Sequence, residues 1–296
     1  MEGVGRGSGY SSSNSKIGLA FSSGFFGFFA HAGFLAAIRD VEIAPTAYSG
    51  ASSGAIIAAM AACEMSDQAI AEILFALRKE DFWDPDPWYV ILRKALGFFR
   101  GYTGYLNGKG FERLLENIPE RRIENCEKPL AIAATNLTER KEAIFSRGDL
   151  IKAVQASGAV PILFKPVEIA GSLYVDGGVS NKCPLKALAD LVELDTIIVH
   201  FIASENVGRR GNEFLGKKMT PWHIQCISVN IARHEAYRRQ LELVRMRGVE
   251  VLEVRTDVPA LGPNKLKQGR AAYDGAKAAT LKTLKGKFPL HLKSSS

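Results

Sequence analysis

From Tyr48 to Met60 the chain reads Tyr-Ser-Gly-Ala-Ser-Ser-Gly-Ala-Ile-Ile-Ala-Ala-Met, a G-x-S-x-G pattern entered from a short extended segment and followed at once by an apolar, helix-forming run. This stretch restricts the fold more than any other. A serine on a tight strand-to-helix turn holds its hydroxyl clear of the backbone, and Gly50 and Gly54, to either side, admit the close approaches and unusual dihedrals of such a turn. The helix that follows aims its positive N-terminal end at the serine, where a developing oxyanion would sit. Ser52 is therefore a candidate nucleophile. The same pattern also arises by chance in Gly/Ser-rich loops, so the case depends on what the rest of the chain places around it.

The preceding segment has a related form. Ile17 to Phe21 suits a buried strand and runs through Ser22-Ser23-Gly24-Phe25-Phe26-Gly27 into a helix expected from about Phe28 to Asp40. Such a turn presents unpaired backbone N–H groups to an anion. Two readings compete, a phosphate loop of the dinucleotide type and an oxyanion hole serving a nearby serine. A lone Gly24-x-x-Gly27 is poor in glycine for the first. The second gains because Ser52 follows one helix and one strand later, so the two turns would end adjacent strands on the same edge of a sheet.

A serine hydroxyl is a weak nucleophile near neutral pH unless a base accepts its proton. The order Ser, Asp or Glu, His of an α/β-hydrolase fits badly, because that fold threads several strands before its elbow and residue 52 leaves room for two. The histidines also have ordinary structural places: His31 in the first helix, His200 in an apolar strand, His223 and His234 in a long helix, His291 in the tail. Asp176 is the better partner. It closes a strand at Leu173 to Val175 and precedes Gly177 and Gly178, so its carboxylate can emerge from the sheet edge while the backbone turns away; partial burial would tune it as a direct base. Taken alone, D-G-G also suits a turn Asp that accepts backbone N–H bonds.

Further elements follow from pattern. Thr46 to Ser49 reads as the second strand and Ser53 to about Cys63 as a buried apolar helix; Ser66-Asp67 caps a helix through Leu77. Phe111 to Asn117 reads as a helix, Leu130 to Thr135 as a buried strand, and Ala143 to Ser146 as extended. Asp149 caps a helix through Ala156, and Val167 to Ile169 is a strand. Thr196 to Ile202 and Val249 to Val254 are strands, separated by a basic loop over 204–218 and a helix over 222–247, and a Lys-rich helix spans about 265–285. Between Phe82 and Tyr105, aromatic residues cluster around prolines, glycines and basic residues, with Trp88 to Leu96 suited to an amphipathic helix. That segment reads equally as a bilayer-facing or cleft-covering element and as a packed aromatic connection.

With no internal repeat and no linker between Ile17 and Phe288, the sequence reads as one α/β domain over 16–288 between a disordered N-terminal tail, 1–15, and a flexible C-terminal tail, 289–296. Gly3, Gly5, Gly7 and Gly9 follow no strand and make no dinucleotide loop. Cys63, Cys126, Cys183 and Cys226 lie far apart without a C-x-x-C pair, which fits reduced, mostly buried thiols and a cytoplasmic setting, and no metal site is expected. The 38 Lys and Arg against 31 Asp and Glu give a net charge of +7, which favours anionic surfaces. The basic residues are not interleaved with aromatics in any nucleic-acid module, so no nucleic-acid partner is expected.

Three stretches in order resemble the patatin-like phospholipase family: Ser22 to Gly27 its oxyanion turn, Gly50 to Gly54 its G-x-S-x-G elbow, and Asp176-Gly177 its D-G-[GA] motif. The likeness extends through Ala156 to Pro161, Phe164-Lys165-Pro166 and Gly171 to Pro184, covering about Lys16 to Val199. The resemblance implies a three-layer α/β/α sandwich around a mostly parallel sheet. It also implies Ser52 as nucleophile, Asp176 as general base in a Ser-Asp dyad, backbone N–H groups of Ser23, Gly24 and Phe25 as oxyanion hole, and no cofactor. The activity implied is hydrolysis of fatty-acyl esters of phospholipids or lysophospholipids, with peripheral contact at a membrane or lipid surface. One departure stands out: many members carry three consecutive glycines where this chain has Ser22-Ser23-Gly24 and then Phe25-Phe26. A catalytically weak patatin-like lipid- or membrane-binding protein is the alternative that this departure and the aromatic segment from Phe82 to Tyr105 motivate.

Overall fold

Strands covered on both faces need apolar residues at consecutive positions, and Ile17–Phe21 (β1), Ala47–Ala51 (β2) and most of Leu130–Asn136 (β4) and Thr196–Ala203 (β9) supply them, with nearly every residue buried. The remaining strands are β3 (Gly104–Leu106), β5 (Lys141–Phe145), β6 (Ile162–Phe164), β7 (Val167–Ile169), β8 (Ser172–Asp176) and β10 (Glu250–Asp257). The helices are α1 (Phe28–Asp40), α2 (Ser53–Ala62), α3 (Asp67–Ala76), α4 (Lys79–Phe82), α5 (Trp88–Leu96), α6 (Lys109–Leu115), α7 (Leu150–Ser157), α8 (Leu185–Leu191), α9 (Pro221–Met246) and α10 (Gly269–Lys285). This computed structural model describes residues 15–98, 100–203, 221–257 and 261–285, with the backbone alone at 221–223 and 226. The expected tails (apart from Ser15), the basic loop 204–218 and the side chains of His223, Cys226 and His291 lie outside the described residues.

The main sheet runs β10-β9-β1-β2-β4-β8-β7. Its first five strands are mutually parallel, while β8 pairs antiparallel with β4, β7 antiparallel with β8, and β5 antiparallel with β4. Alternating side chains feed two cores. Leu19, Phe21, Ile198 and Val254 join one with α1, α2, α3 and α10, whereas Ala20, Ile197, Val199 and Phe201 join the other with α8 and α9. The result is the three-layer α/β/α sandwich around a mostly parallel sheet.

Local signals hold where side chains act on their own backbone. Ser66 Oγ accepts from the Ala69 N–H and Asp149 Oδ1 from the Lys152 N–H, capping α3 and α7. The second strand differs from the expected Thr46 to Ser49: it continues to Ala51, because Gly50 and Ala51 pair with Ile132 and Ala133 of β4 and carry the ladder to the residue before Ser52. The small parallel pair β3–β6 and the helix α8 have no counterpart in the sequence reading. Distance along the chain also misleads for the cysteines. Cys63 closes α2 and Cys126 precedes β4, and their half-buried thiols stand 3.3 Å apart. No helix among the described residues is long and apolar enough to cross a membrane.

α1 packs closely against α10. A Cβ at Gly33 would stand 2.1 Å from the Tyr273 carbonyl oxygen, whereas one at Gly275, on the exposed side of α10, would meet nothing within 4 Å. The same substitution therefore has opposite signs at the two sites. Gly33→Ala is expected to cost about 2–3 kcal/mol through overpacking, and Gly275→Ala to add roughly 0.5–1 kcal/mol through helix propensity. Urea denaturation of the two variants measures both.

Candidate active site

β4 sets the geometry of the site. Residues 130–133 pair with β2, residues 134–136 pair with β8, and residues 132–136 pair with β5. A strand has two edges, and β5 overlaps both other partners, so β2 and β8 must share the opposite edge. They approach along it from opposite directions and end head to head: Ala51 lies against Ala133 and Asp176 against Ala134. Ser52, one residue beyond β2, thus arrives beside the last residue of β8.

Ser52 turns the chain from β2 into α2 with φ 56° and ψ −125°, a region that costs an L-residue about 1–3 kcal/mol. Two interactions hold it there. Its N–H donates to Ser157 Oγ at 2.9 Å, and the Ser157 hydroxyl donates in turn to the Ala133 carbonyl at 2.6 Å. Close packing does the rest: a Cβ at Gly54 would stand 2.5 Å from the Phe21 carbonyl oxygen and 2.7 Å from that of Ser22, so only glycine lets α2 begin against the end of β1. Gly50 lies back to back with Gly54, and Gly27 precedes α1.

Asp176 is buried, and each carboxylate oxygen accepts one short hydrogen bond, Oδ2 from Ser52 Oγ–H at 2.6 Å and Oδ1 from the Gly178 N–H at 2.6 Å. Gly177 and Gly178 open a single 310 turn that swings this N–H onto the carboxylate. Gly178 has no alternative here, since a Cβ would lie 2.6 Å from Ser23 Cβ and 2.9 Å from Asp176 Oδ1. Loss of hydration pushes the Asp176 pKa up to about 6; the hydrogen bonds from Ser52 and Gly178, and the charges of Arg233 and Lys182, oppose that rise without cancelling it. Both cations also serve the backbone around the site: Arg233 Nη1 donates to the Gly178 carbonyl at 3.1 Å and Lys182 Nζ to the Ser23 carbonyl at 2.8 Å.

The Ser22–Gly27 turn ends β1 next to β2, on the same sheet edge as Ser52. Its two serines occupy a clamp. The Ser22 N–H donates to the His200 carbonyl at 3.1 Å and its Oγ accepts from the Ile202 N–H at 2.9 Å. The Ser23 N–H donates to the Lys182 carbonyl at 2.7 Å, reciprocating the Lys182 ammonium on the Ser23 carbonyl. Ser23 is thereby corrected as an expected oxyanion donor: its N–H is already engaged. Among the described residues, the N–H groups of Gly24 and Phe25 take no part in the backbone hydrogen bonds that fix the turn. Neither serine adopts positive φ; in this turn that conformation falls on Phe26, at 53°.

His31 and His200, assigned separate structural places by sequence, touch. His31 Nδ1 and His200 Nδ1 stand 2.7 Å apart, His31 Nε2 lies 2.8 Å from the Ser22 carbonyl, and His200 Nε2 lies 2.9 Å from Thr256 Oγ1. Burial pushes the His31 pKa down to about 3 and that of His200 well below its ordinary value, so both rings are neutral. A carbonyl can only accept, so His31 carries its proton on Nε2 and accepts at Nδ1; His200 then donates from Nδ1 and accepts from the Thr256 hydroxyl. The Ser52 hydroxyl bonds to Asp176 instead, so neither imidazole is its hydrogen-bonded base. Ser157, Lys182 and this histidine pair are site residues that local pattern did not mark.

Beside Ser52 runs a narrow apolar cavity of ≈ 80 Å³. Phe25, Ile56, Met60, Leu74, Phe82 and Phe111 are among its walls. Such a slot accepts a hydrocarbon chain and offers it little to hydrogen-bond.

The family model described as patatin-like phospholipase matches residues 19–189. An uncharacterized protein of Acanthamoeba polyphaga mimivirus is 33% identical over 208 residues, covering 64% of this chain and 66% of that protein. An uncharacterized NTE family protein of Mycobacterium bovis is 28% identical over 195 residues, covering 66% of this chain and 51% of that protein. The chain spans about half to two thirds of the length of these relatives. Among solved structures, VipD from Legionella pneumophila aligns with a TM-score of 0.52 at 16% identity, over 94% of this chain and 68% of that one. At that identity the likeness is one of fold.

The raised Asp176 pKa carries a stability consequence. Between the unfolded carboxyl value, near 3.8, and about 6 the folded state binds more protons than the unfolded state, so stability contributed by this group falls as pH rises through that window. Asp176→Asn keeps both hydrogen bonds, with its amide oxygen accepting from Gly178 and its NH2 donating to Ser52 Oγ, and removes the buried charge. At pH 7 the variant is expected to be more stable than the wild type, by on the order of 2–3 kcal/mol. Denaturation across the acid range should show the gap closing as pH falls through 6 toward 4.

Proposed function

The chain belongs to the patatin-like phospholipase family, and from that premise we propose that it is a serine acyl hydrolase of lipid carboxylic esters, with phospholipids or lysophospholipids as its substrates. One observation carries the reading. Ser52 Oγ lies 2.6 Å from a buried carboxylate oxygen of Asp176 and lines an apolar cavity at the same time. A hydroxyl poised on a base, next to a space for a hydrocarbon chain, is what acyl transfer from a lipid ester requires.

In this reading Ser52 Oγ attacks the ester carbonyl carbon as its proton passes to Asp176 Oδ2. The tetrahedral oxyanion is held by the N–H groups of Gly24 and Phe25 and by the positive end of α2, whose first N–H groups have no intrahelical partner. Collapse of the intermediate expels the alcohol, which takes the proton from Asp176, and leaves the acyl group on Ser52. Water then gives a proton to Asp176 and attacks the acyl-enzyme, and release of the fatty acid restores Ser52 Oγ–H. With its pKa at about 6, Asp176 is mostly ionised at pH 7 and yet close enough to the working pH to take a proton. The cycle draws on no metal or cofactor.

A second reading, a lipid-binding scaffold with feeble catalysis, is favoured by the engagement of the Ser23 N–H with Lys182, which leaves fewer donors for the oxyanion. A fluorophosphonate probe separates the two: the hydrolase labels promptly on Ser52, and the scaffold stays unlabelled while binding lipid. For the hydrolase, fatty-acid release from lysophospholipid should fall by on the order of a thousandfold in Ser52→Ala and in Asp176→Asn. Equal rates in all three proteins would sink the dyad. The wild-type kcat/KM should drop roughly tenfold per pH unit below 6, as the base becomes protonated.

A further inference from the structure

α5 buries none of its residues. Trp88, Tyr89, Leu92 and Leu96 are 75%, 60%, 54% and 79% exposed, and Phe98 in the turn beyond is 90% exposed. Single exposed apolar residues are ordinary on protein surfaces. These are not single: Trp88, Leu92 and Leu96 recur at every fourth position and so line one side of one helix. The chain from Pro87 to Phe111 contains Arg93, Lys94, Arg100 and Lys109 and no acidic residue.

The excursion that carries α5 is clamped at its base. The Asp84 carboxylate accepts from the N–H groups of Gly108, Lys109 and Gly110 at 3.1, 2.7 and 3.2 Å. Asp86 pairs with Lys165 at 2.8 Å, and Lys165 Nζ also donates to Asn107 Oδ1 at 2.6 Å. Pro85 bridges to Leu106. The two ends of the excursion are thus fixed to each other and to the body of the protein, and the helix between them projects its aromatic and aliphatic face outward. The anchored base also reaches the cavity: Phe82 and Trp83 line it, and the Trp83 ring packs edge-on against Tyr105 at 5.8 Å.

We propose that α5 is a docking helix for an anionic phospholipid surface, lying in the plane of the interface with Trp88, Leu92 and Leu96 among the outer acyl segments and Arg93, Lys94 and Arg100 at the phosphates. Charge complementarity selects this occupant. A second copy of the chain would bring a like-charged surface and the same uncovered apolar face, whereas an interfacial helix needs an apolar row, cations and no acidic residue. The inference rests on the acyl-hydrolase reading only for what docking accomplishes, which is to bring the cavity beside Ser52 to the bilayer, and not for the docking itself.

Sedimentation with vesicles of phosphatidylcholine alone, or with phosphatidylserine added, tests the proposal on the full chain. The triple variant Trp88→Ala/Leu92→Ala/Leu96→Ala and the charge variant Arg93→Glu/Lys94→Glu should each bind phosphatidylserine vesicles at least about tenfold more weakly than the wild type. Because α5 contributes nothing to the core, both should keep wild-type turnover of a soluble short-chain p-nitrophenyl ester and wild-type thermal stability. Unchanged vesicle binding by the triple variant, or no binding by the wild type, overturns the proposal. So does a wild-type dimer in light scattering that the triple variant abolishes, which would assign the face to a second copy. Should the wild type hydrolyse the soluble ester no faster than Ser52→Ala while still binding vesicles through α5, the hydrolase reading fails and the docking helix stands.

Discussion

Two strands that run in opposite directions end against each other on one edge of β4, and the Ser52–Asp176 hydrogen bond exists because of that meeting. β4 works as a template with a seam at Ala133 and Ala134: parallel pairing on one side of the seam, antiparallel on the other. A seam in a ladder leaves backbone groups without strand partners, and here they are absorbed into the site. The Ala133 carbonyl takes the Ser157 hydroxyl, the Ser52 N–H returns to that same hydroxyl, and the Asp176 N–H donates to the Ala159 carbonyl at 2.9 Å. One helix terminus, that of α7, therefore splices β2 to β8. The strained backbone at Ser52 is held by these bonds, since a residue at φ 56° keeps its conformation only where its surroundings over-determine it.

The seam also decides the electrostatics. Asp176 is buried at the end of β8, so its charge is poorly hydrated, and the cations behind it, Lys182 and Arg233, also hold backbone carbonyls. Lys182 is itself buried, and loss of water pushes its pKa down to about 7. Its ammonium sits on the Ser23 carbonyl and its own carbonyl takes the Ser23 N–H, so the residue fastens the turn after β1 to the segment after Asp176. A carboxylate left a little short of hydration holds a proton more readily than one saturated by ion pairs, and the packing keeps Asp176 in that state.

What the sequence disclosed follows from the range of the forces involved. The elbow at Ser52, the carboxylate at Asp176 and the adjacency of the turns after β1 and β2 were all legible, because each rests on a strand that ends in a turn within a few residues. The caps at Ser66 and Asp149 were legible for the same reason. Ser157 was not: its hydroxyl acts on residues far away in the chain, and nothing in the period of α7 distinguishes it from a serine facing water. Nothing local marks Lys182 until its partner, the Ser23 carbonyl, is placed by the fold. The expectation for the Ser23 N–H failed at this point, since a backbone donor remains available only if no carbonyl from elsewhere reaches it. In place of the glycines common in the family stand serines that need no left-handed conformation and use their own atoms to fasten the turn.

The histidine pair beneath that turn has a direction. Because the Ser22 carbonyl cannot donate, every proton upstream is assigned: Thr256 gives to His200, His200 to His31, and His31 to Ser22. The path joins the outermost strand of the parallel array to the rim of the site, across β9 and α1, through neutral rings. It behaves as a keyed row whose last member fixes the orientation of all the others. A methyl in place of the Thr256 hydroxyl, far from Ser52, would leave His200 Nε2 facing no donor and remove the first member. The position of the turn is thus written partly in a side chain of β10, a strand that contributes no wall to the cavity beside Ser52.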